Sequence, residues 1–208
     1  MSHSQGSVYY DLETCIVSRG QGRAKTIPIE IAMFDASVGE YAQCVFWPLG
    51  FPVRDALRAH GANVAMSLKC VKKVFGCVPT EHGAGCATLA RARAMTREFM
   101  AARKSSVLVA HNGRSFDHPI YKTWFSPSSA QSYGDSLQTL RIARPALLSH
   151  SLPVLTRSVR ARVLTYMRAH GMDSGAAKQH RALFDCVALA EVMKHFVTNV
   201  STNVSTNV

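Results

Sequence analysis

Acidic residues are scarce in this 208-residue chain, because 13 Asp and Glu stand against 24 Lys and Arg and leave a formal net charge of +11. Long apolar runs are missing too, and no window approaches the roughly 18 apolar residues that a membrane-spanning helix needs. The first seven residues do not follow the basic-then-apolar layout of a secretory signal. Composition therefore predicts an intracellular globular protein, cytoplasmic or nuclear.

Cysteine is too scattered for a disulfide scaffold, since the six residues are spread through a chain of ordinary domain length. Reduced thiols are the expected state. Cys70, Cys77, His82 and Cys86 could together form a tetrahedral zinc site. Their spacing matches no common zinc finger or knuckle, so free buried thiols remain the favoured interpretation.

The positive charge is distributed over the whole chain, with 13 Lys and Arg in residues 1–104 and 11 in residues 105–208. A folded domain with such an excess most often meets a polyanion, and nucleic acid is the first candidate. The alternative is a merely basic protein. Ser-Thr-Asn-Val repeats close the sequence, which predicts one domain over residues 1–197 and a low-complexity extension over residues 198–208.

Strand-like and helix-like stretches alternate along the domain. The apolar patterns predict strands over residues 7–10, 27–34, 43–47 and 107–110. They predict helices over residues 89–103, 115–124, 153–168 and 181–196. This order indicates an α/β domain with a mixed sheet. Residues 67–88 give no clear pattern.

The predicted helix over residues 153–168 is two-faced. At about 100° per residue, one face is apolar and the opposite one is basic. The apolar face carries Leu155, Val159, Val163 and Tyr166, and the basic face carries Arg157, Arg160 and Arg168. A solvated surface and a phosphate-binding surface are both compatible with this pattern.

The few carboxylates stand at positions that suggest chemistry. Asp11 and Glu13 end the first predicted strand, where residues two apart project from the same face. Asp117 follows the strand over residues 107–110, and Asp185 opens the final helix. His180 lies about 140° from Asp185 on a continuous helix, so the two share a site only if His180 precedes that helix and folds back over its first turn. Like charges so close are costly unless a cation lies between them.

Three motifs carry these residues, namely Asp-Leu-Glu-Thr from Asp11, His-Asn-Gly-x-x-Phe-Asp up to Asp117, and His-x-Ala-x-x-Asp up to Asp185. Together and in this order they resemble the motifs of the DEDDh (DnaQ-like) 3′→5′ exonucleases, which include the proofreading epsilon subunit and the three-prime repair exonucleases. Arg181 stands where the companion tyrosine subclass has its tyrosine, and His180 occupies the histidine position. The resemblance spans residues 11–185, nearly the whole domain.

The resemblance implies an RNase H-like fold with a mixed, roughly five-stranded sheet flanked by helices. It implies a metal-dependent hydrolase that releases nucleoside 5′-monophosphates from the 3′ ends of single-stranded nucleic acid, with DNA favoured. A 3′→5′ exoribonuclease is one alternative. The other is a non-catalytic subunit that binds nucleic acid or accompanies a polymerase.

The resemblance also implies roles for individual residues. Two Mg²⁺ or Mn²⁺ ions would be held, the first by Asp11, Glu13 and Asp185 and the second by Asp11 and Asp117. These ions suit hard oxygen ligands. His180 would be the general base, for which its ordinary pKa near 6.5 is well placed.

Four further positions match the family segments that meet or support the substrate. Thr14 and Cys15 resemble the lining of the terminal-nucleotide pocket, and His111 and Asn112 match the family's His-Asn pair. Phe116, beside Asp117, is expected to pack into the core rather than to stack on a base.

Overall fold

The computed structural model describes residues 6–17, 25–48, 71–72, 74–75, 87–103, 106–172 and 181–197. The strands are β1 (Ser7–Val17), β2 (Lys25–Asp35), β3 (Glu40–Trp47), β4 (Ala87–Thr88), β5 (Val107–Ala110) and β6 (Tyr133–Asp135). The helices with defined bounds are α1 (Leu89–Ala101), α2 (Asp117–Phe125), α3 (Ser136–Ala143), α4 (Leu152–Ala169) and α5 (Ala182–Phe196). No helix in these ranges is long and apolar enough to cross a membrane.

The strands form one mixed sheet in the order β4-β3-β2-β1-β5-β6. β1, β2 and β3 are antiparallel neighbours, whereas β5 runs parallel to β1, β6 parallel to β5 and β4 parallel to β3. The predicted α/β class with a mixed sheet is confirmed, with six strands in the described ranges rather than about five. The edge strand β4 escaped prediction because two residues carry no hydrophobic period.

Both faces of the sheet are covered by helices. Strand alternation sends Ala32 and Phe34 of β2 into a core with α4 and α5. The intervening Ile31 and Met33 pack on the other face, in a core with α1 and α2. All four of these side chains are at most 2% exposed, so β2 is buried on both faces as a central strand of an α/β sheet should be.

The predicted two-faced helix forms as α4. Leu155, Val159 and Val163 are at most 3% exposed and pack in the core, while Tyr166 is half-buried against it. The arginines of the opposite face, Arg157, Arg160 and Arg168, are exposed. The prediction for this helix is therefore confirmed, and its basic face is open to solvent.

The final helix, α5, is the central buried helix of the fold, with nine of its residues buried. A polar clamp holds its start. The Arg181 guanidinium donates to both carboxylate oxygens of Glu30 on β2, over 3.0–3.2 Å, and Gln43 donates to the same carboxylate over 2.5 Å. Glu30 is fully buried, so these donors take the place of water at its carboxylate oxygens.

The cysteines that the structure describes are reduced. Cys15, Cys44 and Cys186 are buried and form no disulfide. The zinc candidates Cys70, Cys77, His82 and Cys86 lie outside the described residues.

Loss of Arg181 is expected to destabilise the fold strongly, because Arg181→Met leaves the carboxylate of Glu30 buried without a cation. Breaking a buried pair from one side costs about 3–5 kcal/mol. The matched control is Arg162→Met, which breaks the exposed pair with Glu191 and should cost at most about 1 kcal/mol. Urea unfolding of both variants measures the difference, and equal losses would contradict the clamp.

Candidate active site

Three carboxylates converge where β1 meets α5. Asp11 and Glu13 project from the same face of β1, and Asp185 lies in the first turn of α5, which packs on that strand. One ligand oxygen from each of the three lies within 4.8 Å of the others. All three residues are half-buried, so the group faces solvent on one side. This arrangement has the size and donor chemistry of a divalent cation site.

A fourth carboxylate, Asp117, is close enough for its charge to raise the pKa of Asp11. It is the first residue of α2 and is only 3% exposed. Its Oδ1 atom is one of the few buried side-chain oxygens in the described ranges that lack a hydrogen-bond partner. An unpartnered buried carboxylate oxygen is costly, and a metal ligand is one established reason for it.

The electrostatics of the site also call for a cation. Burial raises the pKa of Asp11 well above its usual range, and the negative charges of Asp117, Asp185 and Glu13 raise it further. Burial likewise raises the pKa of Asp117 to about 7, although backbone amides, among them that of Leu12, partly oppose this. The folded protein therefore disfavours the ionised forms at neutral pH unless positive charge is supplied. Mg²⁺ and Mn²⁺, with their preference for carboxylate oxygen, fit these residues.

The proposed general base lies just outside the described residues. α5 begins at Ala182 with Arg181 as its N-cap residue, so His180 precedes the helix. That order meets the first part of the condition for a site shared with Asp185, whereas the fold-back of His180 over the first turn lies outside the described residues. The role of His180 itself stays a prediction.

The candidate substrate residues lie on both flanks of the carboxylates. Asn112 has a left-handed backbone with φ of 59°, and His111 Nδ1 lies 3.1 Å from Ser136 Oγ. Burial lowers the pKa of His111, which favours its neutral form. His111 and Asn112 line a cleft of about 480 Å³ that also touches Arg141 and Leu152.

On the opposite flank, the pairing of β1 with β2 shifts register between Glu13 and Thr14. This irregularity re-aims the strand directly after the carboxylates. Thr14 is half-buried, and the Cys15 side chain is 2% exposed. Contact between these two residues and a substrate stays a prediction.

Phe116 departs from the sequence expectation. It is 42% exposed rather than packed in the core, and it stands immediately before Asp117. The predicted helix over residues 115–124 begins two residues later, because residues 111–116 form turns after the left-handed Asn112. Phe116 therefore lies before the helix, where its ring is open to solvent.

The Glu30–Arg181 pair was also missed as a support of the site. Its signal in the sequence was a lone acidic residue inside the apolar strand over residues 27–34, which needs a buried cation.

No family model matches this chain, and no curated protein matches it significantly. Any function therefore has to follow from the side chains of the site.

Replacing Asp117 should stabilise the metal-free protein in a pH-dependent way. A carboxyl group whose folded-state pKa is raised binds its proton more tightly in the folded state than in the unfolded state. Its contribution to the free energy of unfolding therefore falls as pH rises from about 4 towards 7. Asp117→Asn removes that loss. In EDTA, the free energy of unfolding of Asp117→Asn should equal that of wild type at pH 4 and exceed it by at most about 4 kcal/mol at pH 8.

Thermal unfolding from pH 4 to pH 8 measures this difference. The control is Glu98→Gln, which neutralises an exposed carboxylate on α1 and should change the unfolding temperature little at any pH. Added Mg²⁺ should raise the stability of wild type more than that of Asp117→Asn. A constant difference between wild type and Asp117→Asn across this pH range would contradict the assignment.

Proposed function

We propose that this protein is a metal-dependent 3′→5′ exonuclease of the DEDDh type, acting on single-stranded nucleic acid with DNA favoured. The observation that carries the proposal is the convergence of Asp11, Glu13 and Asp185 within 4.8 Å, with the buried Asp117 beside them. The products would be nucleoside 5′-monophosphates. The strand order β3-β2-β1-β5-β6, antiparallel and then parallel, supports the RNase H-like architecture that this family implies.

The carboxylates would hold two divalent cations. Asp11, Glu13 and Asp185 would hold the first, and Asp11 and Asp117 would hold the second. When bound, such a pair lowers the pKa of an attacking water and stabilises the leaving 3′ oxygen. His180 would accept the proton of that water on its imidazole. Glu30 and Arg181 would keep the start of α5 in place, which in turn orients Asp185.

The surface supports a nucleic-acid substrate. The net charge of +11 is present in a chain that presents three exposed arginines on one face of α4. Contacts of this kind neutralise phosphates without regard to sequence. The exposed ring of Phe116 stands beside Asp117, where it can stack on a base with little preference among the four.

Two other functions share part of this description. An exoribonuclease would use the same carboxylates, since nothing in the motifs reads a 2′ hydroxyl. A non-catalytic binding subunit would keep the basic surface without needing four acids around one point.

The function is tested with 5′-labelled single strands, DNA and RNA in parallel, incubated with and without Mg²⁺. Wild type is expected to shorten the strand from its 3′ end only when Mg²⁺ is present, with DNA shortened faster than RNA. Asp11→Asn, which removes the ligand shared by both cations, should lose hydrolysis by at least about 10³-fold while strand binding remains. Faster cleavage of RNA would identify an exoribonuclease. Binding without cleavage by wild type would contradict the enzyme and favour the binding subunit.

The arginine face of α4 should contribute to strand binding through phosphate contacts. Replacing Arg157, Arg160 and Arg168 with Ala should weaken binding alike for all sequences. The replacement should also make the slope of log binding constant against log salt concentration less steep by up to about 2. Each lost phosphate contact reduces that slope by about 0.7 on single strands. Turnover at saturating strand should stay near that of wild type, since no carboxylate changes.

The control replaces Arg91, Arg97 and Lys122, which are exposed on α1 and α2 at the opposite face of the sheet. The two triple variants have the same net charge, so a general charge effect would alter both equally. Fluorescence anisotropy at several salt concentrations gives the two slopes. Equal slopes for both variants would place the nucleic-acid path away from α4.

A further inference from the structure

A buried hydrogen bond joins β1 to α2 beside the carboxylates. Tyr10 Oη lies 2.5 Å from His118 Nδ1, and His118 Nε2 lies 3.0 Å from the carbonyl oxygen of Gly134 on β6. Tyr10 is fully buried and His118 is 5% exposed. The metal site does not use either residue directly, yet Tyr10 precedes Asp11 and His118 follows Asp117 in the chain.

The direction of both hydrogen bonds follows from the acceptor at Gly134. A carbonyl oxygen only accepts, so His118 Nε2 carries a proton and donates it. In the neutral imidazole Nδ1 then accepts, and the Tyr10 hydroxyl is the donor. The chain of donors and acceptors is complete, which gives the His118 ring one orientation.

The surrounding residues also restrain the His118 ring. The Tyr133 ring packs on it with centroids 4.9 Å apart, and the Tyr10 ring stacks at 5.8 Å. A Cβ atom at Gly113 would overlap with Cε1 and Nε2 of His118, so only glycine fits beneath the ring. Because both ring nitrogens are bonded, the ring cannot move aside without losing a hydrogen bond.

The start of α2 is joined to the sheet by polar contacts rather than by a helix cap. The N-cap residue, Phe116, makes no side-chain capping bond. Asp117 itself has an unpartnered Oδ1 atom. Besides the Leu12 amide at the Asp117 carboxylate, the His118 side chain, tied to β1 and β6, is a polar link from the sheet to the first turn of α2.

We propose that Tyr10 and His118 are positioning residues whose hydrogen bond sets the separation between Asp11 and Asp117 and thereby the affinity of the site for its divalent cation. The inference rests on the proposed function, since it takes the four carboxylates to be a cation site. Its direct consequence is that a hydroxyl group outside the ligand set controls metal binding.

The test is Tyr10→Phe, which removes the hydroxyl and keeps the buried ring. Mn²⁺ binding is measured by calorimetry on the purified full chain, without nucleic acid. Loss of supporting bonds around metal ligands typically weakens binding by 10–100-fold, and about tenfold is expected here. In the nuclease assay, the Mg²⁺ concentration for half-maximal rate should rise by a similar factor, while the rate at saturating Mg²⁺ changes less.

The matched control is Tyr121→Phe. Tyr121 is 3% exposed, its ring lies 5.2 Å from that of Tyr10, and its hydroxyl bonds to Thr96 instead of His118. Both variants lose one buried hydroxyl and should lose similar stability in EDTA, so a general packing effect would alter Mn²⁺ affinity equally. Equal Mn²⁺ affinities for the two variants, within twofold, would overturn the positioning role.

A second pair of variants examines the partner. His118→Asn places an acceptor near the position of Nδ1 and should keep Mn²⁺ affinity within about threefold of wild type, whereas His118→Leu should lose about as much as Tyr10→Phe. A leucine variant with wild-type affinity would overturn the proposal. Wild type that binds no Mn²⁺ would overturn the proposed function together with this inference, whereas wild type that binds and cleaves leaves the function intact whatever the variants do.

Discussion

The carboxylates carried by β1, α2 and α5 repel one another, and the packing of these elements has to hold them together. Asp11, Glu13 and Asp185 bring ligand oxygens within 4.8 Å of one another, and Asp117 adds its charge from a buried position. In a chain with 13 acidic residues, three converging carboxylates and a fourth that raises the pKa of Asp11 are a large share. Burial raises the pKa of Asp11 and the repulsion raises it further, so the ionised carboxylates destabilise the fold unless positive charge is supplied. Proteins retain such strain where function requires it.

The fold holds the carboxylates together by fixing the strand and the helices that carry them. β1 is held between β2 and β5 in the middle of the sheet, so Asp11 and Glu13 cannot move apart easily. α5 is buried in the core and is clamped at its start by Arg181 on Glu30. α2 is tied through His118. Each carboxylate is therefore carried by an element that is fixed elsewhere, which is the condition for a preorganised site.

Much of this could be predicted from sequence because the signals are local. Strand alternation places Asp11 and Glu13 on one face, and the 100° repeat of α4 separates its apolar residues from its arginines. The convergence of Asp185 on the first pair was implied only by a resemblance in motif order. The exposure of Phe116 was mispredicted, because it depends on the turns that delay the start of α2.

The partners in the long-range supports could not be predicted, although the lone Glu30 in an apolar strand indicated that some cation had to meet it. The Tyr10–His118 bond joins residues 108 positions apart, and the Glu30–Arg181 pair joins residues 151 apart. No periodicity or spacing encodes such a contact, since it exists only once β1, β2, α2 and α5 have packed. The short strands β4 and β6 were not predicted from the hydrophobic pattern either, because two or three residues take their conformation from the neighbouring strand.

A crystal structure of the protein soaked in Mn²⁺, with anomalous diffraction data, tests directly whether these carboxylates form a divalent cation site. An anomalous peak is expected with Asp11, Glu13 and Asp185 as ligands at about 2.0–2.4 Å, the range of oxygen ligands to such ions. A second, weaker peak is expected between Asp11 and Asp117. A map with no peak at these carboxylates at millimolar Mn²⁺ and neutral pH would contradict the account.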